Sequence, residues 1–470
     1  MKIDCSQNVT IRNPYFGVGM EKLDRDAFDP KDVIDRVAEL GVKWVRIQSG
    51  WAKTEKEKGE YDILWLDEIV DGLLSRDLTP WICLCYGNPI YDERAKKIVG
   101  GVGCPPVYSE EAYNAWLAYC RAVAVRYKGK VEYYEIWNEP DGLWNGGSDP
   151  VSYAEFCKKT SIAVKEGDSE AKTIVGSVAQ IDPSFALDCL HNGFLDGADA
   201  FSYHGYTYDE RIFAELNGFY GRVIGKNGTK IIHGECGSQS RNGGNGAFKG
   251  FSTDETKQAK QLLRQMITDR SSGIFFSSYF SATDMHENLF AKAGKPIKKH
   301  GYFGLLSASF DEKGTACAPF QPKPSYYAYQ NLCAFLPEEA KSISVPYWIS
   351  RAKDDRTARS LFLSIRKRLS KRIGKVWHDD RLAGLVTRAY EKDGATTFLY
   401  WLSTDLVANR KKNLMVEATF IEEREPKLVD LLTGEVAGLA YVRDGKKIKT
   451  TLPVRDYPIA VEFGDFVKTV

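Results

Sequence analysis

The feature that most constrains this chain is a rhythm. From residue 13 to about 335 a short apolar run is followed, eight times over, by a helix-length amphipathic segment. The apolar runs fall at 14–20, 43–49, 80–86, 131–137, 172–178, 200–204, 230–234 and 273–280. Between them apolar residues recur at three- and four-residue spacing, the pattern of a helix with one buried face. In DPKDVIDRVAELG, Asp29 can cap, Pro30 fits the first turn and Gly41 closes the segment. Strands that alternate with helices pair in parallel through right-handed crossovers. Eight such units predict an α/β fold of the (β/α)8 TIM-barrel kind, ahead of an open doubly wound sheet.

The rhythm stops near Pro337. Beyond it LFLSI, TTFLYWLST, NLMVEATFI, PKLVDLL, KIKTTLPV and PIAVEFG read as strands, with turn signals such as Thr433-Gly434 and Asp444-Gly445 between several of them. The expected division is a barrel over 1–336 and a smaller β-sandwich-like domain over 337–470, with which residues 1–12 could pack. RKRLSKRIGK, residues 366–375, carries six basic side chains and reads as a solvated edge or helix face.

Charge excludes several functions. Sixty-four basic side chains stand against 63 acidic ones, a net charge of +1, so no global field draws the chain to nucleic acid or an anionic membrane. No apolar run approaches the roughly 18 residues of a membrane span. The ten cysteines form no CxxC and no zinc-finger spacing, so buried free thiols are expected. The N-terminus MKIDCSQNVTIRNPYFGVGM lacks the basic-then-apolar pattern of a signal peptide. This points to a cytoplasmic protein, or to a secreted or periplasmic one if a leader has been removed.

Two long connections follow strand C-termini, the face where barrel active sites form: GNPIYDERAKKIVGGVGCPP after strand three and GSQSRNGGNGAFKGFSTD after strand seven. Strand four, in VEYYEIWNEPDG, ends at Asn138-Glu139-Pro140, leaving a carboxylate beside an amide. Strand seven, in KIIHGECGSQS, ends at Glu235 between Gly234 and Gly237, glycines that permit close approach by a ligand. Two carboxylates at the mouths of strands four and seven can face each other across the barrel. Glycoside hydrolysis needs such a pair, one to protonate the leaving oxygen and one to attack the anomeric carbon or activate water. In a regular strand Asn138 and Glu139 point to opposite faces, so both reach one site only at a strand end or bulge. Glu135, inward by alternation, is expected to pair deep in the barrel, with Arg46 as a candidate partner, and His233 is expected to pack.

Several motifs in order resemble a clan A retaining glycoside hydrolase, and family 39 with its bacterial relatives most closely. WVRIQSGWAKTEKEKGEYDILWLDEIVDGLLSRDLTPWICLCYGNPIYD is similar to that family's segment from strand two to strand three. EIWNEPD is similar to its acid/base motif, FSYHGYT to its strand-six motif and HGECGS to its nucleophile motif. The resemblance spans residues 13–335 and implies that Glu139 is the acid/base and Glu235 the nucleophile. It implies further that Asn138 binds a sugar 2-hydroxyl, that Arg46 and Tyr206 hold Glu235 ionised, and that Asn88 lies near the subsite. Two departures stand out: Cys-Gly follows the nucleophile, and strand eight, SSYFSATD, lacks the Trp that many clan members place at its end.

Trp51, Tyr86, Trp144, Tyr208 and Tyr279, near strand ends, are candidate stacking platforms for sugar rings. His286 is a candidate substrate contact, and His204 is either a contact or a satisfied core histidine. The expected partner is an oligosaccharide, polysaccharide or glycoside, and no cofactor or metal is expected because the carboxylate mechanism is complete without one. An acidic sugar would call for extra basic groups, for which Arg94, Lys96, Lys97 and Arg241 on the long loops are candidates. A catalytically inactive carbohydrate-binding barrel is the alternative. A Schiff-base barrel is disfavoured because Lys43, Lys172 and Lys230 open their strands rather than close them.

Overall fold

The computed structural model describes residues 1–93, 95, 105–107, 109–142, 148–287, 299–351, 384–404, 406 and 414–470. The chain divides into two compact units, Ser6–Cys333 and the pair of segments Met1–Cys5 and Ala334–Val470.

The first unit is a closed barrel of eight parallel strands in sequence order. They are β1 (Asn13–Gly19), β2 (Val42–Gln48), β3 (Thr79–Leu84), β4 (Tyr133–Ile136), β5 (Lys172–Val178), β6 (Ala200–Gly205), β7 (Lys230–Cys236) and β8 (Phe276–Tyr279). Helices connect them. Asp29 accepts from the Lys31 N–H with Pro30 in the first turn, the cap expected there. Asp149, Ser109 and Asp254 cap the longer helices Pro150–Gly167, Glu110–Arg126 and Glu255–Ser271 in the same way.

The barrel interior is built in layers by the two-residue period of its strands. Trp44, Trp81, Tyr133, Ile174, Ala200, Ile232 and Phe276, one from each of β2 to β8, form a single buried cluster. Trp44 stacks on Phe276 at 4.5 Å between ring centroids, and Trp81 lies 4.6 Å from the same ring. Two residues further along the strands the layer turns polar, with Arg46, Cys83, Glu135 and Ser202 all buried. An apolar floor thus closes the barrel beneath a charged middle, and the site opens above it.

In the second unit a six-stranded and a four-stranded antiparallel sheet enclose a core that includes Phe398, Tyr400, Val416, Phe420, Ile448, Leu452 and Val461. The strand Leu414–Ile421 alternates buried and open positions along its length, as a sheet with one covered face requires. Met1–Cys5 joins this unit through paired bonds between the backbones of Lys2 and Val470, both 2.9 Å. LFLSI and the basic run 366–375 lie outside the described residues. All described cysteines are free thiols. Among the described residues no helix is long and apolar enough to cross a membrane.

The aromatic floor should dominate the barrel's stability. Phe276→Ala removes the ring on which Trp44 and Trp81 rest and is expected to cost about 3–5 kcal/mol. Urea denaturation should show a lowered midpoint; an unchanged one would mean the floor carries no load.

Candidate active site

The site is organised around one buried guanidinium. Arg46, in the middle of β2, has no solvent exposure. Its Nε donates to Glu135 at 2.6 Å, Nη1 to Glu235 at 3.0 Å and to Glu21 at 3.4 Å, and Nη2 to Asn138 at 2.8 Å. Glu135 also accepts from the Trp81 indole at 3.2 Å and the Ser177 hydroxyl at 2.6 Å. Burial acts to raise the Glu135 carboxyl, but Arg46, His204 and Ser177 outweigh it and hold it below the ordinary carboxylate range. Arg46 therefore carries two tasks at once, satisfying a deep carboxylate and presenting the rest of its donors to the cavity above.

Glu139 reaches the cavity because β4 does not continue as a strand. Regular pairing ends at Ile136, and Trp137 and Glu139 both take left-handed backbone angles, φ 68° and 51°. Such angles are rare outside glycine and cost roughly 1–3 kcal/mol each. They are secured on both sides: the Trp137 N–H donates to Leu84 at 3.0 Å and the Glu139 N–H to Ser177 at 2.9 Å. The turn breaks the alternation that would have sent Asn138 and Glu139 to opposite faces. Both line the cavity.

On the opposite wall the β6–β7 register shifts between Tyr203 and His204, and the β7–β8 register shifts between His233 and Cys236. These irregularities re-aim the strand ends. Glu235 lines the cavity and accepts from Arg46 and from the Tyr206 hydroxyl. His204 lies between the two acids, its Nδ1 3.0 Å from Glu139 and 3.7 Å from Glu235. Oxygens of Glu139 and Glu235 and a nitrogen of His204 all fall within 4.8 Å of one another. Burial lowers His204 to about 4, so its imidazole is neutral at pH 7. Gly234 is required here for packing rather than for a ligand: a Cβ would sit 2.2 Å from the Ser202 hydroxyl, and one on Gly237 would meet the Phe280 carbonyl at 2.3 Å.

The electrostatics separate the carboxyls. Burial, reinforced by Asp141 and Glu287, raises Glu139 to about 8, so at neutral pH it is mostly protonated. Burial likewise raises Glu21 to about 8 despite its contact with Arg46. Glu235 accepts from two donors, the Arg46 guanidinium and the Tyr206 hydroxyl.

The cavity holds about 350 Å³. Of the sequence candidates it brings together Glu139, Glu235, Asn138, Tyr206, Tyr86 and His286 on its wall, with Arg46 and His204 bonded to the acids from beneath. Others are corrected. Trp51 is fully buried between Tyr91 and Tyr119 and presents no free face. Tyr279 points out of the barrel by strand alternation, its hydroxyl 3.3 Å from Gln261. Tyr208 packs on Phe248 and bonds Ser238. Asn88 is buried and donates to the Glu55 carbonyl at 2.7 Å, which fixes a loop instead of touching the cavity. His233 pairs with Asp269 at 2.9 Å beneath Tyr203. Trp144, Arg94, Lys96 and Lys97 lie outside the described residues.

Sequence reasoning missed Glu21, Lys22 and Arg25 after β1, Gln48 at the end of β2, and Phe280, Glu287 and Phe303, all of which line the cavity. Strand alternation from Arg46 identifies Gln48. The rule that sites gather at strand C-termini, applied to β1 and β8, identifies Glu21 and Phe280, the latter at the end where the Trp was lacking. Phe303 has no local signal, since the chain returns to the site only after a long excursion.

The chain shares the fold of clan A glycoside hydrolases. A family 39 glycoside hydrolase from Bacteroides cellulosilyticus superposes over 98% of this chain and 82% of its own, at 16% identity and a TM-score of 0.65. A family 39 β-xylosidase from Caulobacter crescentus covers 98% and 97%, at 14% identity and 0.56. A family 30 endoxylanase from Clostridium papyrosolvens covers 97% of each chain, at 12% identity and 0.57. A glycoside hydrolase family 42 model, described as β-galactosidase, matches residues 21–95. No curated protein sequence matches significantly.

The proton on Glu139 is directly observable. Followed by carbon-13 NMR of labelled glutamate, its carboxyl should titrate near pH 8. Glu287→Gln removes a like charge and frees Lys22, both of which should move that titration to lower pH. An unshifted titration would mean that Glu287 does not act on Glu139.

Proposed function

We propose that this protein is a retaining glycoside hydrolase acting on a β-linked, or configurationally equivalent, glycosidic bond, with Glu139 as acid/base and Glu235 as nucleophile. The observation that carries the reading is the pair of carboxyls at the ends of β4 and β7, with oxygens within 4.8 Å of each other. Retaining enzymes hold their carboxyls about 5–5.5 Å apart, whereas inverting ones leave about 6.5–9.5 Å for a water.

In the first step a Glu235 oxygen attacks the anomeric carbon. The bond to the glycosidic oxygen breaks, and the proton on Glu139 passes to the departing oxygen. The raised Glu139 value supports this role, since the acid must be protonated near neutrality. Formation of the ester removes the charge of Glu235. In the second step Glu139, now ionised, takes a proton from water as the water oxygen attacks the same carbon, and Glu235 leaves as a carboxylate. Two inversions give net retention. Asn138, anchored by Arg46, is positioned to bond the hydroxyl adjacent to the anomeric carbon.

Glu235→Gln should lower kcat by roughly 10⁴-fold or more. Glu139→Ala should lose about 10²–10⁴-fold on substrates with poor leaving groups and far less on dinitrophenyl glycosides, with azide restoring turnover. The alkaline limb of kcat/KM should fall near pH 8, where Glu139 loses its proton. Proton NMR of the first-formed sugar should show the anomer of the substrate. An inverted anomer, or full activity in both variants, would defeat the assignment.

A further inference from the structure

The cavity wall holds two side chains whose hydrogen-bonding capacity the protein leaves unused. Glu21 follows β1 by two residues and is 1% exposed. Its Oε1 accepts weakly from Arg46 at 3.4 Å, while its Oε2 has no partner. His286 is 2% exposed; neither ring nitrogen makes a hydrogen bond of regular geometry, the Arg25 backbone being the one polar group that bears on the ring. Of the described side chains that line the cavity, these two alone carry buried polar atoms left in this condition. Burying such atoms unmatched is costly, and a protein tolerates it where a ligand completes the bonds.

Their placement is built. The carboxyl of Glu21 folds back over Gly19, where a Cβ would lie 2.1 Å from Oε2 and 2.3 Å from Oε1. Only glycine leaves that space. Lys22, the next residue, donates through Nζ to the His286 carbonyl at 3.0 Å and pairs with the Glu287 carboxylate. The Lys22 backbone N–H donates to Gln48 at 3.0 Å. The turn after β1 and the strand bearing His286 are thus tied together, and both unmatched groups face the cavity that Glu139 and Glu235 share.

The charged groups of the same wall are already engaged with one another. Its described cations are Lys22 and Arg25. Lys22 is paired with Glu287, and Arg25 with Asp24 and Gln48. Four carboxyl groups, Glu21, Glu139, Glu235 and Glu287, line the cavity beside them. Burial holds Glu21 and Glu139 mostly neutral at pH 7, and Glu235 and Glu287 are paired with Arg46 and Lys22.

We infer that Glu21 and His286 are specificity-determining residues that bind hydroxyl groups of the sugar in the glycone subsite. The inference rests on the glycosidase reading above. Glu21, carrying a proton, can donate to a hydroxyl oxygen and accept from the hydroxyl proton of a neighbour. Neutral His286 offers one donor and one acceptor. Together they match the paired donor and acceptor character of adjacent sugar hydroxyls.

The test uses the full-length protein and 4-nitrophenyl glycosides of xylose, glucose, galactose, arabinose and glucuronic acid, followed by the monodeoxy derivatives of the best substrate. Wild type should hydrolyse at least one member of the panel. Glu21→Gln and His286→Ala should each lower kcat/KM on the parent glycoside by roughly 10- to 100-fold. Against one deoxy derivative, the one lacking the bonded hydroxyl, each loss should shrink to under about threefold. Gly19→Ala should reproduce the Glu21→Gln pattern. An equal loss on every parent and deoxy substrate would mark the two residues as structural and leave Glu139 and Glu235 in their roles. A wild type that turns over no member of the panel would overturn both readings together.

Discussion

One positive charge, shared among three carboxyls in a place water does not reach, sets the terms for the rest of this site. Arg46 has donors enough for Glu135, Glu235, Asn138 and, more distantly, Glu21, but only a single charge to offset them. A buried ion pair is stable only when geometry and additional hydrogen bonds repay desolvation. Glu135 meets that condition through Arg46, the Trp81 indole and the Ser177 hydroxyl. Glu21, farther away and with one oxygen unmatched, does not, and burial raises it. The aromatic floor of Trp44, Trp81 and Phe276 is what makes the accounting this strict, because it closes the barrel below the charged layer.

The same arrangement explains why the backbone is irregular where the chemistry lies. A regular strand offers one inward side chain every two residues, which suffices for Arg46 and Gln48 on β2 but not for two adjacent groups at one strand end. Left-handed angles at Trp137 and Glu139, and register shifts beside His204 and Glu235, turn extra side chains inward. The bonds from Trp137 to Leu84 and from Glu139 to Ser177 hold the turn in place from the two neighbouring strands. Position is thus secured by the sheet itself and not by a loop.

What could be read from the sequence followed from periodicity. The eight apolar runs and the alternation within them mark the barrel, its inward residues and the Arg46–Glu135 pair, because those depend on local spacing. Stacking partners could not be read that way. Trp51 opens a helix and Tyr279 has odd parity on β8, so both turn into packing while Phe280, one residue on, turns into the cavity. Glu21 was hidden by its position just past a strand end, where alternation has lapsed and only the fold-level rule applies. Phe303 depends on contacts distant in sequence, for which a single chain carries no local sign.

Two glutamates of identical chemistry meet different surroundings in one cavity, and that difference is local. The whole chain is almost neutral, yet Glu139 sits where Asp141 and Glu287 add negative potential and burial removes water, while Glu235 sits against Arg46 and the Tyr206 hydroxyl. Environments that push paired carboxyls apart are the general means by which one site holds an acid and a charged nucleophile at one pH. Lys22 opposes the rise of Glu139 but does not cancel it, and Lys22 and Arg25 are themselves engaged by Glu287, Asp24 and Gln48.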